Sequence, residues 1–308
     1  MDALRAAFPG VLQENAALAG YTTARVGGPA DGIVVVGSAT ELEQAALRLW
    51  KLAVPFTILG YGSNVLVSDS GLRGVVIINR ARSIIFDKEG PNPMVWAESG
   101  ALIGTIARQA ALRGMRGFEW AATVPGTLGG AVYGNAGAYG GDMRQNLALA
   151  EILHPTGKEL WTTERMQYAY RTSALKHERI PAVILAARLR LDHGEPAAIQ
   201  EKMEQFSAHR RSTQPPGASM GSIFRNPPGD YAGRLIEAAG LKGRRAGGAS
   251  ISEVHANFFL NDGTASAADI GELIGIARET VAEKFGIPLE LEVELLGDWS
   301  TVEHYGAK

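Results

Sequence analysis

Cysteine is absent from all 308 residues. That excludes disulfides, thiolate catalysis and cysteine-ligated zinc, and it fits a cytoplasmic setting. Long apolar runs are missing too: none approaches the ~20 residues that a membrane helix needs. Residues 1–20 carry no apolar core behind a basic start, so they do not read as a signal peptide. Charge of one sign is not in excess, since 30 Lys+Arg against 32 Asp+Glu leave a net charge of −2. With no extended basic run, nucleic acid is not expected as the main partner. No His/Asp/Glu cluster has metal-ligand spacing, so no metal is expected. No G-x-G-x-x-G follows a strand and opens a helix, which disfavours a Rossmann domain. Internal repeats and low-complexity tracts are also lacking.

What is present is a globular profile, 46% hydrophobic and 20% charged, in a chain long enough for two or three domains. Glycine is concentrated in residues 124–143, VPGTLGGAVYGNAGAYGGDM, where apolar and aromatic residues are threaded between the glycines. Composition leaves two readings open. The glycines could let the backbone take positive φ or let another molecule touch the main chain, forming a concavity for phosphate or a flavin's polar edge. They could equally make tight turns in a β-rich core. A second glycine loop, LGYGSNVLVSDSGLRG at 59–74, lies between two strand-like runs. Two such loops without a dinucleotide fingerprint suit a different flavin-binding architecture.

Periodicity predicts the framework. Residues 33–36 read as a strand; Ser38 and Glu41 have capping-box spacing ahead of a helix with Leu42, Ala45, Ala46 and Leu49 on one face. Residues 95–98 read as a strand, and 102–113 as a helix stopped by Gly114. Strands are expected at 147–153, 159–162 and 183–191. A helix at 196–211 carries the stripe Ile199, Met203 and Phe206. Further on come a loop at 217–229, a helix with Leu235 and Ile236 facing inward, and a strand-like run at 257–260. A long helix at 267–285 has Ile270, Leu273, Ile274, Ala277, Val281 and Phe285 at helical spacing. A final strand at 289–296 alternates leucine and glutamate, so Glu290, Glu292 and Glu294 share one solvated face.

GYGSNVLVSDSGLRGVVI and VPGTLGGAVYGNAGAYGG together resemble the bacterial UDP-N-acetylenolpyruvoylglucosamine reductases, the flavoenzymes called MurB. The likeness runs from about Tyr21 to Gly297. It implies an α+β protein: a two-subdomain flavin fold of the PCMH, or vanillyl-alcohol-oxidase-like, type plus a C-terminal α+β substrate-binding domain. The implied division is 1–80 and 81–211 for the FAD subdomains and 212–308 for substrate, with the last strand able to return to the FAD domain. The implied cofactor-binding residues are Arg25; Gly60, Tyr61, Gly62, Ser63, Asn64, Val65 and Leu66; and Val124, Pro125, Gly126, Gly129, Gly130, Asn135, Ala136, Gly137, Ala138 and Tyr139. FAD is expected to be noncovalent, because cysteine is lacking and neither loop holds histidine.

Three residues carry the implied chemistry. Arg171, in Tyr170-Arg171-Thr172-Ser173, matches the family's Tyr-Arg-x-Ser, whose arginine binds the substrate carboxylate. Its planar, always-charged guanidinium suits bidentate binding and would stabilise charge developing in the reaction. Ser222, in GSIFRNP, matches the family's general acid. A serine hydroxyl is a weak acid that protonates only a strongly basic carbon, and an enolate-like carbon is one. Glu292, in EVELLG, matches the carboxylate near the reacting double bond. Asn226, His255 and Asn257 are implied for the substrate pocket, while Arg210 and Arg211 would face the diphosphate. Thr213 stands where relatives often have lysine. The short span after Arg171 resembles the class lacking an inserted tyrosine loop.

The resemblance thus implies NADPH-dependent reduction of UDP-N-acetylglucosamine enolpyruvate to UDP-N-acetylmuramate, a step of peptidoglycan precursor synthesis serving cell shape and division. An FAD-dependent sugar or hydroxy-acid oxidase of the same fold, or a flavin-binding protein without catalysis, are the rivals. Having Arg171, Ser222 and Glu292 all in place disfavours both.

Overall fold

The computed structural model describes residues 1–300. The last eight residues of the expected third domain lie outside the described residues.

Helices begin and end where side chains close their free backbone groups. The helix Ala39–Lys51 is capped by Ser38, whose hydroxyl accepts the Glu41 N–H at 3.2 Å. The Glu41 carboxylate takes the N–H of Gly37 at 2.7 Å, one residue outside a full capping box. Leu42, Ala45, Ala46 and Leu49 are its buried face, as the spacing predicts. The helix Ile103–Leu112 stops before Gly114, which takes φ +70°. The helix Ala267–Phe285 has a complete Ser266/Asp269 box and ends at Gly286 in the left-handed region. Its inward stripe closes at Val281, because Phe285 is 38% exposed. In Pro196–Thr213 only Ile199 is buried; Met203 and Phe206 are half-buried.

The chain forms two compact units. The first comprises Met1–Leu12, Val34–Tyr61 and Val76–Arg210. Its sheet has five antiparallel strands in the order Gly157–Trp161, Leu147–His154, Val183–Arg190, Met94–Glu98, Ile84–Asp87. Val95, Ile106, Phe118, Leu128, Val132, Ile152 and Leu189 are among its core residues. Residues 124–143 do not consist of turns alone, for they contain the helix Leu128–Gly134, ended by Asn135 at φ 47°.

The second unit comprises Gln13–Ile33, Gly62–Val75 and Arg211–Lys308. Strand Val65–Val67 pairs in parallel with Glu294–Leu296, and Ser68 N–H continues the ladder to Leu296 O at 2.9 Å. Asn261 donates to Ala24 O at 2.9 Å, and the Asp69 carboxylate caps the long helix by accepting from Ala267 N and Ala268 N, both at 2.9 Å. These non-local bonds gather residues 13–33 and 62–75 with the C-terminal part. The compact units therefore cut the chain differently from three consecutive domains. Of the expected strand at 289–296, only Glu294–Leu296 forms. Glu290 is exposed, while Glu292 and Glu294 are half-buried rather than on a solvated face.

Candidate functional site

In the first unit the glycine-rich stretch is bonded to the turn after strand Met94–Glu98. Gly129 N–H donates to Ser99 O (2.7 Å), Leu128 N–H to Ala101 O (2.8 Å) and Ile103 N–H to Gly126 O (3.1 Å). A Cβ on Gly129 would stand 3.0 Å from Ser99 Cβ, and one on Gly60 would overlap the Thr127 side chain. Those two glycines allow close main-chain packing. Gly130 and Gly134 differ. A Cβ at Gly130 would meet only Thr127 Oγ1, at 3.6 Å, and one at Gly134 nothing within 4 Å. Just ahead of the stretch in the chain, Thr123 Oγ1 is shut off from solvent with no hydrogen-bond partner among the described residues. An orphaned buried hydroxyl costs roughly 1–3 kcal/mol. Main chain without Cβ atoms at Gly130 and Gly134, and an unsatisfied hydroxyl just before Val124-Pro125-Gly126, each suit a flavin's polar edge. Val124, Ala136 and Ala138 rest against the core, and the side chain of Leu66 is fully buried in the second unit's core.

The same stretch mounts Arg171. Ala169 and Thr172 exchange backbone bonds of 3.3 and 3.2 Å, so Tyr170 and Arg171 form the tip of a two-residue turn, with Arg171 at φ 57°. Asn135 holds the base of that turn, donating from Nδ2 to Ala169 O at 3.0 Å while its Oδ1 accepts Arg144 N–H at 3.0 Å. Ser173 Oγ donates to Tyr133 O (2.6 Å), and Tyr168 OH to Val132 O (2.8 Å). Burial pushes the Tyr168 hydroxyl up, with Asp142 adding to it, so it stays a donor. The end of the Leu128–Gly134 helix thus sets where the Arg171 guanidinium starts from, within 5.7 Å of the Tyr170 ring.

Tyr139 stacks on Phe206 (centroids 4.3 Å, 5° between planes) and donates to Phe206 O at 3.1 Å. One face of its ring is therefore covered by protein. Burial holds the neighbouring Arg210 guanidinium below its ordinary value, with Tyr139 acting in the opposite sense. Arg211 is exposed.

In the second unit the structure brings Ser222 and Glu292 together. Phe224 bridges antiparallel to Leu291, Glu292 N–H donates to Ile223 O at 2.8 Å, and Arg225 N–H donates to Glu290 O at 2.9 Å. Ser222 itself bridges Phe258 on the other side. Asn257 is 3% exposed and grips Phe224 with both ends of its amide, accepting Phe224 N–H at 2.9 Å and donating to Phe224 O at 2.8 Å. It supports the serine loop from beneath. Asn226 Oδ1 accepts Ala232 N–H at 3.1 Å and so caps the helix Ala232–Ala238. His255 Nδ1 accepts the Asn257 N–H at 3.2 Å, which requires that nitrogen to be unprotonated. Burial first, then the Lys242 ammonium, hold this imidazole below its ordinary value. Arg25, exposed at φ 57°, ends a turn closed by its N–H on Thr22 O at 3.2 Å.

Several supporting residues escaped sequence reasoning. Glu98, 6% exposed, takes Ala39 N–H and Ser83 N–H on its two oxygens, each at 2.8 Å. Asp69, Asn261 and Thr123 are the others. A polar residue inside an apolar run is the one available signal, and Glu98 after Val-Trp-Ala carries it.

The fold that carries these residues is that of an FAD-binding protein with a further C-terminal domain. A model described as "FAD binding domain" matches residues 30–163. Another, described as "UDP-N-acetylenolpyruvoylglucosamine reductase, C-terminal domain", matches residues 213–296. A UDP-N-acetylenolpyruvoylglucosamine reductase of Chloroflexus aggregans is 41% identical over 95% of this chain and 100% of its own length. One from Bacillus subtilis is 42% identical, covering 94% of this chain and 95% of its own. The crystal structure of the Thermus caldophilus reductase superposes with a TM-score of 0.78 at 35% identity, over 92% of this chain and 98% of that one. The chain belongs to the UDP-N-acetylenolpyruvoylglucosamine reductase family.

Proposed function

We propose that this protein reduces the enolpyruvyl ether of UDP-N-acetylglucosamine enolpyruvate to UDP-N-acetylmuramate, with NADPH as electron donor, in the cytoplasm. FAD, held noncovalently by the two glycine loops, supplies the hydride chemistry when bound. The chain's own residues supply position and protons. Arg171 holds the enolpyruvyl carboxylate in a bidentate pair and stabilises the charge that grows on it. Ser222 donates a proton to the carbon bearing that carboxylate as the methylene carbon gains hydride. Glu292 stands at the reacting double bond, Arg210 and Arg211 face the diphosphate, and His255 with Asn226 walls the substrate pocket. In this reading residues 1–80 and 81–211 serve FAD, and 212–308 serve substrate.

The observation that carries the reading is the pairing of residues 223–225 with 290–293, which bonds Glu292 to the residue next to Ser222. Stopped-flow measurement of Ser222→Ala tests it. Reduction by NADPH should keep its wild-type rate, whereas reoxidation by the enolpyruvyl nucleotide should slow by ~10²–10⁴-fold. Ser222→Cys should recover part of that loss. Fast reoxidation in Ser222→Ala would make Glu292 the proton donor instead.

A further inference from the structure

Glu292 is held from both sides by loops that do different work. On one side its N–H donates to Ile223 O at 2.8 Å, one residue from Ser222, and Val293 N–H reaches the same oxygen at 3.4 Å. On the other side stands Asn64, 228 residues away, whose Nδ2 donates to Glu292 O at 3.1 Å. The main-chain oxygen of Asn64 accepts Glu294 N–H at 3.0 Å. Asn64 therefore grips the chain immediately before and after Val293, which is 4% exposed. Below the grip, Glu294, Leu295 and Leu296 run in parallel register with Val65, Leu66 and Val67. Of these contacts the Asn64 amide is the side-chain hydrogen bond reaching the Glu292 peptide.

We propose that Asn64 is a positioning residue for the proton-transfer half of the reaction: its side chain sets the backbone of Glu292 from within the flavin loop, so the loop that receives the cofactor also aligns the carboxylate. The inference rests on the reductase reading. A hydrogen bond to the peptide of Glu292 bears on where the carboxylate starts, and it has no part in reduction by NADPH.

The test uses the full chain loaded with FAD, as Asn64→Ala and the near-isosteric Asn64→Asp, which loses the amide donor. Because Asn64 lies in the flavin loop, both half-reactions are read at saturating FAD, where reoxidation should slow at least tenfold more than reduction by NADPH. Reoxidation by the enolpyruvyl nucleotide should slow about 10- to 100-fold. In a Glu292→Gln background, adding Asn64→Ala should cost less than threefold more, since the residue acts through that carboxylate. Reoxidation within twofold of wild type in both variants overturns the proposal. So does an equal slowing of both half-reactions at saturating FAD, or a failure of both variants to take up FAD at any concentration. A wild-type protein reduced by NADPH but not reoxidised by the nucleotide removes the reductase reading, and this inference with it.

Discussion

At the residue scale, two buried groups make opposite demands on their surroundings. Among the described residues Thr123 Oγ1 has no hydrogen-bond partner, so Thr123→Val removes an unsatisfied hydroxyl while keeping the shape. Without FAD the variant should melt at the wild-type temperature or higher, and its FAD dissociation constant should rise about tenfold, roughly what one hydrogen bond contributes. Fluorescence titration of apoprotein reads this directly; unchanged FAD affinity would assign the hydroxyl elsewhere. His255 is a neutral acceptor whose folded-state value lies below the ordinary 6.5, chiefly through burial. As pH falls through about 6.5 the unfolded chain takes up this proton first. Its contribution to stability is thus complete above that pH and declines below it, down to the folded-state value. Wild type should lose more stability than His255→Asn between about pH 7.5 and 5.5. Equal losses would show that the imidazole is not held neutral.

At the scale of elements, the helix Leu128–Gly134 links two tasks. Its start is bonded to residues 99–101, and its end, through Asn135, to the turn that carries Arg171. Asn135 is left-handed at φ 47°, a conformation that costs an ordinary residue roughly 1–2 kcal/mol. Its amide oxygen satisfies the Arg144 N–H, whose orphaning costs ~1–3 kcal/mol, while its nitrogen adds a second bond to Ala169 O. Asn135→Ala should therefore destabilise the protein by roughly 2–4 kcal/mol, and Asn135→Gly by the hydrogen-bond share alone. Urea unfolding separates the two. A different comparison holds for the helix Ala39–Lys51, where Ser38→Ala removes one cap and should cost about 1 kcal/mol with both half-reactions intact. Much of this level was legible in the sequence, because caps and stripes are settled within four residues. The helix inside the glycine-rich stretch was not, since glycine disfavours helix and non-local bonds to Ser99, Ala101 and Ile103, with those from Tyr168 and Ser173, hold it there.

For the whole molecule, the lack of cysteine and of histidine in either glycine loop removes a sulfur link and a loop-histidine link to the flavin, so FAD is expected to be held by contacts alone. Acid precipitation should release all the yellow colour into solution; colour left in the pellet would overturn this. The sequence by itself determined most of the longer helices, several strands and the family, because periodicity and motif spacing are local records. Only the tertiary structure decided that residues 13–33 and 62–75 belong with the C-terminal part. It also decided that the expected strand at 289–296 shrinks to Glu294–Leu296, and that Glu292 is half-buried between Ile223 and Asn64. The physical reason is the same in each case. A carbonyl or N–H buried far from its chain neighbours takes whichever partner packing brings to it, and for Glu292 that partner stands 228 residues away.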